Sequence, residues 1–530
     1  MKKNILSLMT LLVFCGTSLM VTSCKDADNV KDLKLDQVLS ATGLTMVANA
    51  DLSITVSWSQ MFNADQYELI VSQDENFSDA SKVAFSDVIA QSYTKGDYCS
   101  VIIPKLDPET KYFARVQAIA SDGSSTASKY VYGNVTTVAE QIMKIVDKGQ
   151  LTATSATIEW TAGEFVKAVE IRDAAGDLIS TLTPTSDENT AGKMVVDGLN
   201  PHTSYTIRLV SATDKTRGSR VFTTLLDLSN AITISAGDAD WVAKIEGATS
   251  GSVFALEAGD YKSEETVDIA SDVVIAAADI TNMPTLHCQF SIDKNAALYC
   301  YYLAITADDA KLFTDQCFNF KSTGQTSSLD VEGCEIYNFV KGLVYINTST
   351  VVNEINITGC YIHNIVCTGG DFIDSRSGSW NTLNFKDNTV VNCFVGRDFL
   401  RSPNSSVATG LSNVVNNTFY KCGNGEANYR LFYTQIKGAV NNFNKNVVAG
   451  FNNKRGFCNG SITVVAADNV YYDCLNLTEI AEGNTEKPTF FDENGQVLTS
   501  SPFKDEKNNV FYLTDANLRL KQVGASKWYE

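Results

Sequence analysis

A short motif that recurs along the C-terminal part of the chain decides the fold of that part. It reads DNTVVNC at residues 387–393, NNTFYKC at 416–422, KNVVA at 445–449 and DNVYYDC at 468–474. Two earlier copies carry cysteine where the later ones carry asparagine, and they read GCEIYN at 333–338 and GCYIHN at 359–364. Self-similarity at a fixed period is typical of repeat architectures.

The anchor residues of these copies are Cys334, Cys360, Asn388, Asn417, Asn446 and Asn469, at steps of 26, 28, 29, 29 and 23 residues. Such a step holds one coil of three short strands with their turns, and coils stack at the inter-strand spacing. We therefore expect the anchor asparagines to hydrogen-bond along the stack. The cysteines, including a second set at Cys393, Cys422 and Cys474, would fill small apolar places, although neighbouring ones could also pair.

A third column of residues follows each anchor and predicts the next strand of each coil. Its members are 343–345 (LVY), 372–374 (FID), 399–401 (FLR), 431–433 (LFY) and 456–458 (GFC). The start of the region, with Gly259-Asp-Tyr261, an aliphatic triplet at 273–275 and Pro284, resembles the first turn of secreted pectate-lyase-like proteins. That resemblance covers most of residues 245–530, and the stretch 501–528 is similar to their closing tail. It implies a right-handed parallel β-helix over residues 226–530.

Two shorter modules precede this region, and each has the residues of a two-sheet β-sandwich. A tryptophan ends an early alternating strand at Trp58 and again at Trp160, and a Leu-x-Pro-x-Thr-x-Tyr corner follows at 106–112 and 199–205. The tryptophan fills the core between the sheets, and the tyrosine hydroxyl can bond back to the turn. These residues resemble fibronectin type III domains, which we place at 41–138 and 139–225. The fold class is therefore all-β.

The N-terminus has the pattern of a bacterial lipoprotein signal. Lys2 and Lys3 precede an apolar run that is too short for a membrane span, and Val21-Thr-Ser-Cys24 resembles a lipobox. That resemblance implies a signal peptide at 1–23, lipidation of Cys24 and a tether at 24–40; ordinary signal cleavage is the alternative. Residues 25–28 (KDAD) look like the export tag of glycan-foraging Gram-negative bacteria, which implies an outer-membrane, surface-exposed location.

The composition limits which partners and cofactors can be expected. The formal net charge is −19 with no block of basic residues, so nucleic acid is not an expected partner. The three histidines, His202, His287 and His363, are far apart in sequence and give no metal-binding signature, and we predict no metal or other cofactor.

One cluster of charged residues stands out, on two successive coils of the predicted β-helix. Its members are Asp371, Asp374, Arg376, Arg397, Asp398 and Arg401, and the basic character continues in Arg430 and in Lys454 and Arg455. Arginine forks pair well with uronate carboxylates, and Tyr433, Tyr429, Trp380 and Phe451 would offer rings for sugar stacking, although aromatic residues in a coil are more often core or ladder residues. The predicted ligand-binding residues are Arg376, Arg397, Arg401, Arg430 and Tyr433. The alternative interpretation is that these aspartates and arginines only form salt bridges between turns.

We expect a surface lipoprotein that binds glycan, with pectin or another uronate polymer as the ligand. The hypothesis that the protein is an enzyme is less favoured. The domain set resembles surface lipoproteins encoded with glycan-uptake machinery, which implies an outer-membrane glycan-transport complex as a partner. A polysaccharide lyase is the second hypothesis, with Asp371, Asp374, Arg376, Asp398 and Arg401 as catalytic candidates and Ca²⁺ needed only in that case. A non-sugar adhesin or structural protein is the third.

Overall fold

The computed structural model describes residues 36–78, 82–83, 88–90, 94, 96–308, 315–405 and 408–529. The predicted signal peptide, Cys24 and most of the tether therefore lie outside the described residues. The chain divides into two compact units. One contains the described residues up to Val47 together with Ile54–Ile103 and Lys111–Thr136, and the other contains Ala48–Ser53, Pro104–Thr110 and the chain from Thr137 onward.

The first unit is a sandwich of two antiparallel sheets. One sheet holds the strands Thr42–Ala48, Ile54–Ser59 and Tyr98–Ile103, and the other holds Val88–Ala90, Gln66–Ser72, Lys111–Ile119 and Val131–Thr136. Alternation in Ile54–Ser59 turns every second side chain inward, so that Trp58 is fully buried with its ring centroid 5.5 Å from that of Tyr67. The predicted tryptophan core is confirmed here.

A second sandwich opens the other unit. Its four-stranded sheet consists of Leu178–Leu182, Ala168–Arg172, Ser204–Val210 and Thr216–Thr223, and Ser155–Glu159 pairs with Lys193–Asp197. The short helix Ser186–Ala191 begins after Thr185, whose hydroxyl caps the amide of Glu188, and ends at Gly192 in the left-handed region. Trp160 is buried, and the hydroxyl of Tyr205 accepts a hydrogen bond from the Asn200 amide at 2.9 Å, as the corner motif predicts.

From residue 232 onward the chain winds into a parallel β-helix of three sheets. Sheet 1 consists of Ile232–Ile234, Ser252–Leu256, Val273–Ala277, Ala297–Tyr301, Gly324–Glu332, Thr350–Thr358, Ser379–Lys386, Leu411–Val415, Val440–Asn444 and Thr463–Ala467. Sheet 2 consists of Asp260–Lys262, Thr285–His287, Ala304–Thr306, Glu335–Tyr337, Tyr361–His363, Thr389–Val391, Thr418–Tyr420, Val447–Ala449, Val470–Tyr472 and Gln496–Leu498. Sheet 3 consists of Val267–Ile269, Phe290–Ile292, Gln316–Phe320, Gly342–Ile346, Ile373–Ser375, Leu400–Ser405 and Phe432–Ile436.

Apolar side chains fill the inside of the coils in columns. Phe372, Phe385, Phe399 and Phe419 are fully buried and pack ring against ring across neighbouring coils. Each such side chain stabilises the fold by about 1.5–3 kcal/mol through burial. The helix Trp241–Glu246 covers the N-terminal end of this core, where Trp241 packs edge-on against Tyr261.

The predicted ladder of asparagines is confirmed. The Asn column, defined as Asn388, Asn417, Asn446 and Asn469, is buried, and the Oδ1 atom of each member accepts the backbone amide of the anchor one coil earlier at 2.9 Å. The side-chain amides donate to the next Oδ1 atom and to backbone carbonyls. Asp492 closes the column by accepting from Asn469 Nδ2 at 2.9 Å.

The cysteines pack as thiols. All eleven that the structure describes are unpaired, and only Cys474 is less than fully buried. Burial raises the pKa of Cys474 to about 12, so the thiolate that forms disulfides is disfavoured there. The expectation of small apolar packing residues is confirmed for this part of the chain.

A tail closes the β-helix from outside. It contains the antiparallel pair Phe503–Asp505 and Val510–Leu513, the helix Ala516–Leu520 and the 3-10 turns Glu506–Asn508 and Ser526–Trp528. Phe503, Phe511 and Leu513 bury the outward side chains of sheet 2, including Val447 and Val470. The predicted all-β fold class, two sandwiches and then a parallel β-helix, is confirmed, and the right hand of its coils stays a prediction. No helix in the described ranges is long and apolar enough to cross a membrane.

The second sandwich contacts the early coils of the β-helix. The 3-10 turn Lys148–Gln150 lies at this contact, where Lys148 Nζ donates to the Gly333 carbonyl at 3.2 Å and lies over the Tyr302 ring. Nearby, His202 Nε2 is 3.2 Å from Glu332 Oε2, and the hydrogen bond with Glu332 is the main cause that raises the pKa of His202.

Candidate functional site

The third predicted column is the geometric basis of the site. In sheet 3, the register pairs residues of consecutive strands in the order Tyr345, Asp374, Arg401 and Tyr433. The residue that precedes each of the last three, namely Ile373, Leu400 and Phe432, faces the core. Register therefore brings one residue from each of four coils onto one line along the axis, and the two in the middle, Asp374 and Arg401, are charged. We call Asp371, Asp374 and Asp398 with Arg376, Arg401 and Arg430 the Asp–Arg column.

Asp371 lies at the centre of this column and is fully buried. Its Oδ2 atom is 3.1 Å from Arg376 Nη2 and 3.5 Å from Arg401 Nη1, and its Oδ1 atom accepts the backbone amide of Asp398 at 3.1 Å. Burial, followed by the charges of Asp398 and Asp374, raises the pKa of Asp371 to about 6. The arginines offset part of the cost of burying this charge.

Asp374 is buried beside it and pairs with Arg376. Arg376 Nη2 donates to Asp374 Oδ2 at 2.8 Å, and Arg376 Nε is 2.6 Å from Oδ1 but is not aligned for a hydrogen bond. Burial acts to lower the pKa of Arg376, but the hydrogen bond and charge of Asp374 outweigh it and the pKa is raised. Arg376 is therefore held as a cation within the coil.

Asp398 binds Arg430 from the next coil. Its Oδ1 atom accepts both the backbone amide and Nε of Arg430 at 2.9 Å, and its Oδ2 atom has no hydrogen-bond partner among the described residues. Arg430 Nη1 also donates to Asn459 Oδ1 at 2.5 Å. Burial raises the pKa of Asp398 although Arg430 opposes the shift.

A groove opens beside the C-terminal end of this column. It has a volume of about 960 Å³ and runs between the last strand of sheet 3 with its turn, 432–439, and the segment 455–463. Its charged lining residues are Arg401, Arg430, Lys437 and Arg455, and none of the described residues that line it is acidic. We call it the basic groove.

The four cations of the basic groove differ in their exposure and in their contacts with other side chains. Arg430 is only 7% exposed, and the side chain of Arg401 is 31% exposed. Their guanidinium groups lie 4.2 and 5.2 Å from the ring centre of Tyr433, within cation–π range. Arg455 pairs with Glu486 at 3.0 Å, and Lys437 is exposed in the turn.

The structure brings together three of the five predicted ligand-binding residues, since Arg401, Arg430 and Tyr433 line the basic groove. Arg376 is held by the buried aspartates, and Arg397 stacks over Tyr429 at 5.3 Å; neither lines the groove. The catalytic candidates Asp371, Asp374 and Asp398 are buried under the arginines and do not line it either. Asp398 still belongs to the site indirectly, because it holds Arg430.

Two of the predicted stacking rings are corrected. Trp380 and Phe451 are fully buried in the coil, because their columns face the core, and they offer no surface to a sugar. Sequence reasoning also missed Lys437 and Asn459. Asn459 directly follows the fifth member of the third column, which is a usable signal, whereas a single lysine in a turn gives none. Among the described residues, no group of three or more His, Cys, Asp or Glu residues is arranged to hold a metal ion.

Comparison with known proteins agrees with this architecture. Residues 40–134 match the fibronectin type III domain, and residues 259–393 match a domain of unknown function (DUF4957). The chain is therefore a modular protein with a fibronectin type III domain and a parallel β-helix whose early coils carry the DUF4957 region.

Two solved structures illustrate the sandwich likeness. A two-domain fibronectin type III segment from chicken tenascin is 18% identical over 35% of this chain and 99% of its own length, with a TM-score of 0.23. The central fibronectin-III array of RIM-binding protein is 17% identical over 36% of this chain and 64% of its own length, with a TM-score of 0.14. None of the curated proteins matches the chain.

Proposed function

We propose that this protein is a surface-exposed lipoprotein that captures an acidic polysaccharide in the basic groove without cleaving it. The observation that carries the proposal is the charge of the groove. Four cations and no acid line it, although the chain as a whole has a net charge of −19. A local cationic surface on an acidic protein indicates an anionic ligand.

The remaining lining of the groove suits a carbohydrate. Gln435, Asn459, Ser461 and Thr463 supply hydroxyl and amide groups, which pair with sugar hydroxyls. Carboxylates of a uronate polymer would pair with the arginine forks, and this makes pectin the first polymer to test.

Binding is favoured over cleavage because of where the carboxylates are. A β-elimination needs a base at the sugar carbon and a cation at its carboxylate. Asp371, Asp374 and Asp398 are buried in ion pairs with arginines, so they are not placed to hold a bridging cation against a polymer in the groove. Arg401 is the one predicted catalytic residue that lines the groove.

The proposed location follows from the N-terminus. Acylation of Cys24 would fix the protein to the outer membrane, and the two sandwiches would serve as spacers between the anchor and the β-helix. An outer-membrane glycan-transport complex is the proposed partner, because a captured polymer needs a route into the cell.

The test uses residues 25–530 as a soluble protein. Affinity electrophoresis in gels containing pectins of low and high methyl-esterification measures binding, and absorbance at the wavelength of unsaturated uronides measures cleavage. Retardation by low-ester pectin without product is the expected result.

The other outcomes separate the alternatives. Product that disappears in the Arg401→Ala variant would establish the lyase instead. If neither retardation nor product appears with a panel of acidic and neutral glycans, the hypothesis of a non-sugar adhesin or structural protein would remain. Radiolabelled palmitate incorporation that is lost in Cys24→Ala tests the anchor independently of the ligand.

A further inference from the structure

One cation of the basic groove is held far more firmly than the others. Arg430 is anchored at Nε by Asp398, at Nη1 by Asn459 and at its own backbone amide by Asp398, and its guanidinium lies 4.2 Å from the centre of the Tyr433 ring. Its side chain is 8% exposed. Three fixed contacts on a planar group leave it almost no rotational freedom.

The third nitrogen of this guanidinium is free. Arg430 Nη2 donates to no residue that the structure describes, and it is not among the buried polar atoms without a partner, so it keeps contact with solvent. Because Arg430 lines the groove, its Nη2 N–H groups are available there. The partly exposed Arg401 also lines the groove, and its guanidinium lies 5.2 Å from the centre of the same Tyr433 ring.

We propose that the groove contains a preorganised subsite for a single carboxylate, formed by Arg430 and Arg401, and that Asp398 is its positioning residue. The proposal rests on the proposed function and goes further, because it distinguishes recognition of one group from attraction to charge in general. Preorganised donors bind without losing side-chain entropy on association. Fixed N–H donors favour a carboxylate over a sulfate ester, because the carboxylate concentrates its charge on two oxygens and is the stronger hydrogen-bond acceptor.

Asp398 positions Arg430 through a single atom. Its Oδ1 atom accepts both hydrogen bonds from Arg430, whereas its Oδ2 atom has no partner in the described structure. An asparagine has the same Oδ1 acceptor, so Asp398→Asn retains both bonds, and Asp398→Ala removes them. This pair of variants separates positioning from the charge of the aspartate.

The experiment measures binding of polygalacturonate, its fully methyl-esterified form and dextran sulfate by the full soluble chain, 25–530. Arg430→Lys keeps the charge but loses the planar group that Asp398 and Asn459 hold in place, and it should weaken polygalacturonate binding about 30-fold. Lys437→Ala, which loses a whole charge elsewhere in the groove, should weaken it only about threefold. The methyl ester should bind at least 30-fold more weakly than the acid.

Thermal melts confirm folding of each variant, and the Asp398 pair keeps the test valid if Arg430→Lys does not fold. We expect Asp398→Ala to lose about tenfold in affinity and Asp398→Asn to bind at least as well as the natural chain. Equal affinity of Asp398→Ala and the natural chain would overturn the positioning role. A smaller loss in Arg430→Lys than in Lys437→Ala, or equal binding of dextran sulfate, would overturn the carboxylate subsite while polygalacturonate binding, and so the proposed function, stands. Failure of the natural chain to bind any polymer would reject both.

Discussion

Two columns of buried polar side chains run along the same β-helix, and they differ in how their polar atoms are paired. The Asn column is uncharged, and each member exchanges hydrogen bonds with the coil before and the coil after it. The Asp–Arg column is charged, and it leaves Asp398 Oδ2 without a hydrogen bond. The first column ends in a closed cap at Asp492, and the second ends at the wall of an open groove.

The difference shows which of the two columns carries function. Neutral, fully satisfied networks stabilise a fold and fix its register. Buried ion pairs add little stability compared with apolar packing, so their presence calls for another reason. Here the reason is the position of Arg401 and Arg430, whose guanidinium groups are held at the groove by carboxylates from the coils below.

The largest effect is expected in the Asn column. Asn417→Ala removes the acceptor for Asn388 and the side-chain donor to the carbonyl of Phe385. It also removes one of the two donors to the Oδ1 atom of Asn446, which keeps the backbone amide of residue 417. Several buried groups lose their partners at once, so we expect a loss of about 4 kcal/mol in the free energy of unfolding. Urea denaturation followed by circular dichroism measures it. A loss below about 1 kcal/mol would show that this column is not what stabilises the coils.

In the Asp–Arg column, the charge of Asp371 should lower the free energy of unfolding at neutral pH. The pKa of Asp371 is raised to about 6 from 3.8, so the folded chain binds the proton more tightly than the unfolded chain. Stability from this group is present at pH below about 4 and is lost as pH rises through 6, by about 3 kcal/mol at most. Asp371→Asn should therefore raise the free energy of unfolding by about 1–2 kcal/mol at pH 8 and leave it unchanged at pH 4. A stabilisation independent of pH would exclude titration of Asp371 as the cause.

The groove side of the Asp–Arg column should affect binding rather than folding. Arg401→Ala should weaken polygalacturonate binding about tenfold, because one charge-assisted hydrogen bond is lost, with little change in melting temperature. Arg397→Ala is the matched control, since Arg397 stacks on Tyr429 outside the groove. Isothermal titration measures both variants, and equal losses would place the polymer outside the groove.

The smallest effect is expected on the outer face of sheet 1, where a second line of asparagines is only half-buried. Asn413 Nδ2 donates to Asn384 at 2.9 Å and its Oδ1 atom accepts from Asn442 at 2.8 Å. Water can replace these bonds, so Asn413→Ala should cost less than about 1 kcal/mol in the same urea experiment. A cost equal to that of Asn417→Ala would mean that burial is not what separates the two lines of asparagine.

Much of the fold could be predicted from repeats. The spacing of the anchors predicted the coils, and the third column predicted the register of Tyr345, Asp374, Arg401 and Tyr433 in sheet 3. Stacking makes this possible, because residues in the same place of each repeat become neighbours in space. Trp380 and Phe451 were misjudged since a ring on a strand looks the same in sequence whether it faces the core or the solvent.

Local periodicity was enough to predict the sandwiches, the coils, the Asn column and the grouping of aspartates with arginines. Which of those charges reach the surface depends instead on how the coils pack in three dimensions. The aspartates are buried in ion pairs with arginines of the same coil, as Asp374 is with Arg376, or of the next coil, as Asp398 is with Arg430. The groove exists because sheet 3 ends at Phe432–Ile436 while the chain continues beside it at 455–463. Where a sheet stops, and which loop then covers it, depends on packing among distant coils and is not a periodic property of the chain.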